Sequence, residues 1–268
     1  MRKSVFSGLF YPKEKTKLEK TIQSAFLNLK EFKKKTKAII APHAGYIYCQ
    51  KQLAEAYNCL KYNKFKTAVI IGPSHRHYFK GISVYDGHYY EIPTGKVHIN
   101  KNVISQLQTA NPEIKYIPKA HNQEHSIEVQ LPFLKHINNS AEIVPLITGE
   151  NSYENLEKVA DTLQSVIDPD ETVFIVSTDF SHFYPSQKAI EMDTKAIELI
   201  CQNENQKLYQ MQQYKKIQLC GIDATIIILK LLNRLNIKNI RHISYAHSGQ
   251  ISKDLTSVVG YNSFCAYE

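Results

Sequence analysis

Two histidines follow apolar stretches of the chain, at points where strands of a sheet would end. His43 lies in the run APHAGY after the apolar residues 38–40, and His75 lies in GPSHRH after 68–71. In an open α/β sheet, ligands bind at the carboxyl ends of the strands, so side chains delivered there by successive strands tend to converge. Imidazole is a common ligand of zinc, copper and iron. The two runs predict a shared metal site; the alternative is that both are ordinary hydrogen-bonded loop histidines.

Two further runs place reactive side chains beside apolar segments. The apolar residues 172–177 are followed by Asp179 and His182, a carboxylate and an imidazole three positions apart. Such a pair can bind a metal, or can work as an acid and base in which one group orients the other. Cys220 lies just before the predicted helix 224–235, where the helix dipole favours a thiolate and makes it a candidate ligand or nucleophile. Asp223 is a candidate N-cap of that helix, with a purely structural role as the alternative.

Six short runs occur in order across nearly the whole chain: SGLFYP, IIAPHAGY, GPSH, EHSIEVQLPF, STDFSH and LCG. Each is a weak signal alone, but together they resemble the Memo family, which is named after an animal mediator of ErbB-driven cell motility. The fold of that family is similar to that of the class III extradiol dioxygenases, ring-opening enzymes that use non-heme iron. The resemblance implies an α/β domain with a central mixed β-sheet flanked by helices.

The resemblance also implies a set of site residues. It places His43, His75 and Cys220 at a metal, with Asp179 and His182 beside it, and His182 where the extradiol dioxygenases keep an acid/base histidine. Those enzymes complete a triad of two histidines and one carboxylate, which suits Fe(II). Here the third ligand is a thiolate, a softer donor that favours Cu(I), zinc or a differently tuned iron. Ring cleavage is therefore not inherited with the fold.

His125 is a third candidate catalytic residue, after His182 and Asp179. It lies in EHSIEVQLPF, at the start of a predicted helix with apolar residues at Ile127 and Leu131. Its ring could face the same cleft and contact the ligands or the substrate. Ordinary capping of the helix is the alternative.

The composition is that of one globular domain. A chain of 268 residues with 43% hydrophobic content can bury a large core, which predicts a single domain over 1–268. No stretch approaches the roughly 18 apolar residues that a membrane span needs. The five cysteines contain no Cys-x-x-Cys pair and fit a reducing compartment, so we expect a cytoplasmic protein without a membrane partner.

The net charge of +8 raises the question of nucleic-acid binding. Much of the excess lies after the first predicted helix, where cations complement the dipole and stay in solvent, at Lys30, Lys33, Lys34, Lys35 and Lys37. The chain has no zinc-finger spacing, RNA-recognition string or interleaved aromatic and basic face. Nucleic acid is therefore not an expected partner.

Hydrophobic periodicity alternates between helical and strand patterns. Helices are predicted over 18–29, 46–60, 101–109, 153–167 and 224–235. Strands are predicted over 37–41, 68–72, 142–147, 172–177, 240–245 and 257–266. Asp86-Gly87 is a preferred pair for a tight turn, so 82–85 and 88–92 are predicted to form a hairpin. The alternation predicts an α/β fold with a partly parallel sheet, and the hairpin makes that sheet mixed.

Three functions are compatible with these residues. The first is an oxidoreductase that uses non-heme iron or copper at a His/His/Cys site, in which His182 moves protons and Asp179 orients it or binds the metal. The second is a non-catalytic module that binds a peptide or phosphopeptide in the cleft, as animal family members are thought to do. The third is a zinc hydrolase, because two histidines and one cysteine leave a fourth position open for water.

These three functions imply that the ligand is a small molecule or a peptide. The resemblance also implies candidate protein partners. Bacterial and archaeal members of the family are often encoded near a radical-SAM protein and a third small conserved protein.

Overall fold

The computed structural model describes all 268 residues. It contains twelve strands: β1 (Arg2–Lys3), β2 (Thr36–Ala41), β3 (Thr67–Pro73), β4 (Ile82–Val84), β5 (Tyr89–Ile92), β6 (Gly95–His98), β7 (Ile114–Lys115), β8 (Glu142–Thr148), β9 (Thr172–Ser177), β10 (His182–Tyr184), β11 (Asn239–His247) and β12 (Val258–Tyr267). It also contains ten α-helices: α1 (Lys15–Phe26), α2 (Tyr46–Asn58), α3 (Lys101–Ala110), α4 (Pro118–Asn122), α5 (Leu131–Ile137), α6 (Tyr153–Val166), α7 (Ser186–Cys201), α8 (Asn205–Gln213), α9 (Ile222–Arg234) and α10 (Gly249–Ser252).

A nine-stranded mixed sheet forms the centre of the molecule, with β1, β5 and β6 in a separate sheet. Its order is β10-β12-β2-β9-β3-β8-β4-β7, and β11 pairs with β12. The pairs β2–β9, β9–β3 and β3–β8 are parallel, whereas β12 and β4 join the sheet in antiparallel pairs. The predicted α/β fold with a central mixed sheet is therefore confirmed.

The central strands are buried along their whole length, because helices cover the sheet. Every residue of β2, β3 and β9 is buried, as expected for parallel strands whose sequences are near-continuous apolar runs. Helix α9 packs on β3 and β9, and a small apolar cavity is lined by Ala38 and Ile40 of β2 and by Ile228 and Leu232 of α9. Helix α2 packs on β2 and β12. None of the helices combines the length and the apolar character needed to cross a membrane.

The hairpin predicted around Asp86-Gly87 is wrong. Strand β4 pairs with β8 and β7, whereas β5 pairs with β1 and β6. The tight turn lies instead between Ile92 and Gly95, where Gly95 adopts a φ of 118° that favours glycine. Strand β4 is completely buried. Its pairing with the central sheet therefore stabilises the fold more than a local hairpin at Asp86-Gly87 would.

Three smaller expectations are also corrected. Helix α1 ends at Phe26 and has no basic residue in its last turn, so the lysines beyond it do not complement its dipole. They are exposed as expected, except that Lys37 is buried in β2 and pairs with Asp170. His125 does not begin a helix, since α5 starts at Leu131 after a 3₁₀ turn. Asp223 is not an N-cap, because Gly221 occupies that position and Asp223 accepts a hydrogen bond from Asn151.

Candidate metal centre

Three neighbouring parallel strands end at one edge of the sheet and deliver polar side chains there. His43, Asp179 and His75 each lie two residues beyond the ends of β2, β9 and β3, which are adjacent in this order. Cys220 reaches the same edge from the start of α9. A Cβ on Gly221 would lie 2.7 Å from the Ser177 carbonyl oxygen and 2.7 Å from the Thr178 Cβ. Glycine therefore lets the start of α9 approach the end of β9.

The donor atoms of His43, His75 and Cys220 lie together. His43 Nε2 is 3.2 Å from Cys220 Sγ, and the rings of His43 and His75 are 5.0 Å apart between centroids, at 84°. One donor atom from each of the three residues lies within 4.8 Å of the others. Nitrogen and sulfur at about 2.0 and 2.3 Å from a tetrahedral ion would be about 3.5 Å apart. The observed spacing therefore fits ligands of one ion.

The hydrogen bonds of Ser177 fix the tautomer of His43. The Ser177 hydroxyl donates to the Ser126 carbonyl oxygen at 2.6 Å and accepts from Gln130 Nε2 at 2.9 Å. Its remaining lone pair faces His43 Nδ1 at 3.0 Å, so Nδ1 carries the proton and donates. Burial, and then the charge of His75, hold the pKa of His43 well below its usual value. The neutral ring therefore presents its bare Nε2 toward Cys220.

Glu124 orients His75 in the same way. Its carboxylate accepts from His75 Nδ1 at 2.8 Å and from the His75 backbone N–H at 2.6 Å. The N–H groups of His125 and Ser126 also donate to it, each at 2.9 Å. Burial acts to raise the pKa of Glu124, but the hydrogen bond and charge of His75 outweigh it and hold the pKa at about 2. When the ring of His75 is neutral, the ionised carboxylate holds its proton at Nδ1 and leaves Nε2 free.

The ring of His125 lies beside those of His43 and His75, as expected if it faces the same cleft. Its ring centroid is 4.4 Å from that of His75 and 5.1 Å from that of His43, and Phe10 packs against it at 4.7 Å. Burial is the main cause that lowers its pKa to about 3, so the ring is neutral. Its buried Nδ1 lies 3.3 Å from Glu124 Oε1 but forms no hydrogen bond. With His75 and Glu124 it forms a second group of donor atoms within 4.8 Å.

Asp179 connects two of the candidate ligands. Its carboxylate accepts from the His43 backbone N–H at 2.8 Å, and its own backbone N–H donates to Cys220 Sγ at 3.1 Å. Burial raises the pKa of Asp179. The carboxylate forms no hydrogen bond to the ring of His182, so any orientation of His182 by Asp179 acts through charge.

His182 is placed by its backbone, at the start of β10. Its N–H donates to Gln218 Oε1 at 2.8 Å. The preceding residue, Ser181, donates its N–H and its hydroxyl to the two carboxylate oxygens of buried Asp193, each at 3.0 Å. Burial lowers the pKa of His182, whereas the nearby charge of Asp179 acts to raise it.

Cys220 differs from the expectation of a favoured thiolate. Burial, followed by the charge of Asp179, raises the pKa of its thiol above the usual range. Desolvation therefore outweighs the helix dipole at this thiol. A metal would have to displace the thiol proton on binding.

Several supporting residues were missed in the sequence. Ser177, Glu124 and Gln130 hold the imidazoles or the adjoining chain, and Gln130 also donates to the Pro42 carbonyl oxygen at 2.8 Å. All three lie within or beside runs already noted, STDFSH and EHSIEVQLPF. That location was the only available signal, because polar residues inside apolar runs are typically buried for a reason.

Known proteins similar to this chain match it along its full length. A family model described as Memo-like protein matches residues 2–265. A MEMO1 family protein of Methanococcus vannielii is 33% identical over 285 residues, which cover 98% of this chain and 98% of the relative. One from Thermoplasma volcanium is 29% identical over 267 residues, covering 99% and 98%. The crystal structure of an uncharacterized protein from Escherichia coli K12 is more distant, with 13% identity and a TM-score of 0.49, over 85% of this chain and 99% of that one.

Proposed function

The chain belongs to the Memo family, and from that premise we propose that it binds one metal ion through His43, His75 and Cys220. The observation that carries this proposal is the fixed tautomer of both imidazoles. Ser177 and Glu124 engage the two Nδ1 atoms, so both Nε2 atoms stay free to bind a metal. Metal-binding histidines commonly have such a partner on the other ring nitrogen.

We further propose that the bound ion is redox-active, iron or copper, and that the protein is an oxidoreductase. Such an ion would supply electron transfer to or from a substrate at the positions that three protein ligands leave open. In this proposal His182 holds or moves a proton at its ring; burial lowers its pKa, and the charge of Asp179 acts in the opposite direction. His125 is neutral and its Nδ1 forms no hydrogen bond, so its ring would contact the substrate or complete the ligand set.

A catalytic zinc site is the second candidate, because two nitrogens and one sulfur also suit zinc with an open fourth position. Metal analysis separates the two. Protein purified without oxygen or chelators should contain about one equivalent of iron or copper if the proposal holds. Stoichiometric zinc would favour hydrolysis, and a metal-free protein that binds a peptide would favour the non-catalytic module.

The ligand assignment is tested by removing single imidazoles. His43→Ala or His75→Ala should lose stoichiometric metal while the far-UV circular dichroism stays unchanged, because too few donors remain. His77→Ala is the matched control, since this half-buried histidine lies two residues from His75 and outside the donor group. His182→Ala should also keep its metal. Full metal content in either of the first two variants would refute the assignment.

A further inference from the structure

Phe183 adopts a backbone conformation that its residue type disfavours. Its φ is 64°, in the left-handed region. The pairing of β10 with β12 shifts register between His182 and Tyr184, so Phe183 is the bulged residue of this strand. Glycine commonly takes such a left-handed position in a bulge. A phenylalanine there has an unfavourable backbone conformation, which an interaction of its side chain must offset.

Packing of the Phe183 side chain within the fold does not offset this cost. Its side chain is 75% exposed, so its apolar ring gains little from burial in the fold. The other non-glycine residues with positive φ are all polar: Asn28, Asn203, Lys215, Asn236 and Lys253. Asparagine tolerates this conformation, and lysine keeps its charged end in water. Phe183 alone combines backbone strain with an exposed ring.

The position of the ring relates it to the candidate centre. Its centroid is 5.8 Å from that of the His182 ring, in an edge-on arrangement at 64°. The backbone N–H of His182 donates to Gln218 Oε1 at 2.8 Å, and Gln218 lies two residues before Cys220 in the chain. Strained residues that the fold does not explain cluster at ligand-binding sites. An exposed aromatic ring at such a place is suited to contact with an apolar group.

We propose that Phe183 is a specificity-determining residue that contacts an apolar, ring-sized part of the ligand bound at the metal centre. This inference rests on the proposed function, since it requires that the ligand's other end binds at the His43, His75 and Cys220 site. The bulge leaves the ring exposed instead of packed in the core. Ligands that carry an apolar ring would then bind more tightly than those that lack one.

The test uses two probes that share one metal-binding group. Acetohydroxamate and benzohydroxamate both bind metal ions through the hydroxamate, and only the second carries a phenyl ring. Their affinities for the metal-loaded protein are measured by calorimetry. Wild-type protein should prefer benzohydroxamate, and Phe183→Gly should reduce that preference by about three- to tenfold, the size expected for one aromatic contact. Acetohydroxamate should bind both proteins equally.

Stability measurements separate this role from a structural one. Phe183→Gly should unfold at the same temperature or about 2 °C higher, because glycine relieves the left-handed strain. Phe183→Asn tolerates the same backbone conformation, removes the ring and should show the same loss of preference. Lys215→Gly and Tyr214→Ala are the controls; the first relieves equivalent strain at φ 55° and the second removes a ring that is 71% exposed elsewhere. Both should keep the wild-type preference.

The outcomes distinguish the two proposals. An unchanged preference in Phe183→Gly and Phe183→Asn, with acetohydroxamate still bound, would overturn the role of Phe183 and leave the metal centre standing. If acetohydroxamate does not bind the metal-loaded wild-type protein at all, the proposed function fails, and this inference fails with it.

Discussion

At the scale of single residues, Glu124 determines which side of His75 is available to a metal. Its carboxylate accepts hydrogen bonds from Nδ1 and from the backbone N–H of His75, and it is almost completely buried. The hydroxyl of Ser177 likewise accepts a hydrogen bond from His43 Nδ1. The strand-end pattern in the sequence predicted that the two histidines would lie together. It did not reveal Glu124, because that contact joins residues 49 positions apart and depends on how two loops meet.

Replacing Glu124 should weaken metal binding without removing a ligand. Glu124→Gln keeps the shape of the side chain but removes the charge that holds the Nδ1 proton of His75. We expect the metal affinity to fall by about ten- to a hundredfold. Competition with a chromophoric chelator measures it, and Glu142→Gln, at an exposed position of β8, is the control. Wild-type affinity in Glu124→Gln would show that this carboxylate does not tune the centre.

At the scale of elements, the centre depends on how α9 begins. The helix packs on β3 and β9, and Gly221 lies against the end of β9. Periodicity in the sequence predicted the helix and the strands, mostly to within two residues, because their apolar patterns are long and regular. It failed for β4 and β5, whose partners are distant in the chain. Local turn chemistry does not determine which strand a short segment pairs with.

A methyl group at Gly221 should disturb the centre through the position of α9. Gly221→Ala would place a Cβ 2.7 Å from the Ser177 carbonyl oxygen, so either the start of the helix or the end of β9 must shift. Because metal sites tolerate only small displacements, we expect about a tenfold or greater loss of metal affinity. Gly45→Ala is the control, since its Cβ would meet no atom closer than 3.7 Å. Equal affinity in both variants would contradict this account.

At the scale of the whole molecule, the N-terminal segment supports the centre from outside the main sheet. Arg2 is buried and donates to the carbonyl oxygens of His121 and Glu124 and to the carboxylate of Glu128, each at 2.7 Å. Glu128 also accepts from Tyr11. This arrangement could not be predicted from the sequence, because an arginine in a basic chain is usually solvated. Only the folded chain brings Arg2 and Glu128 together.

Removing Arg2 should destabilise the fold strongly. Arg2→Met would leave Glu128 buried without its cation, which typically costs about 3–5 kcal/mol. Urea denaturation measures the loss in the free energy of unfolding. Arg2→Met combined with Glu128→Gln should recover part of it, because the unpaired charge is then absent. Lys3→Met, at an exposed neighbouring position, should change stability by less than about 0.5 kcal/mol. If Arg2→Met also changed the free energy of unfolding by less than about 0.5 kcal/mol, the Arg2–Glu128 pair would contribute little to stability.

The position of β12 has a consequence for how a newly made chain matures. This strand lies between β2 and β10 in the sheet, yet it follows strands β1 to β11 in the chain and is therefore made after them. Until then β2 has an open hydrogen-bonding edge, and such an edge invites association with other chains. Cys220 also emerges long after His43 and His75. We expect nascent chains to need protection by chaperones until β12 has been made, and metal to be loaded only after Cys220 has emerged.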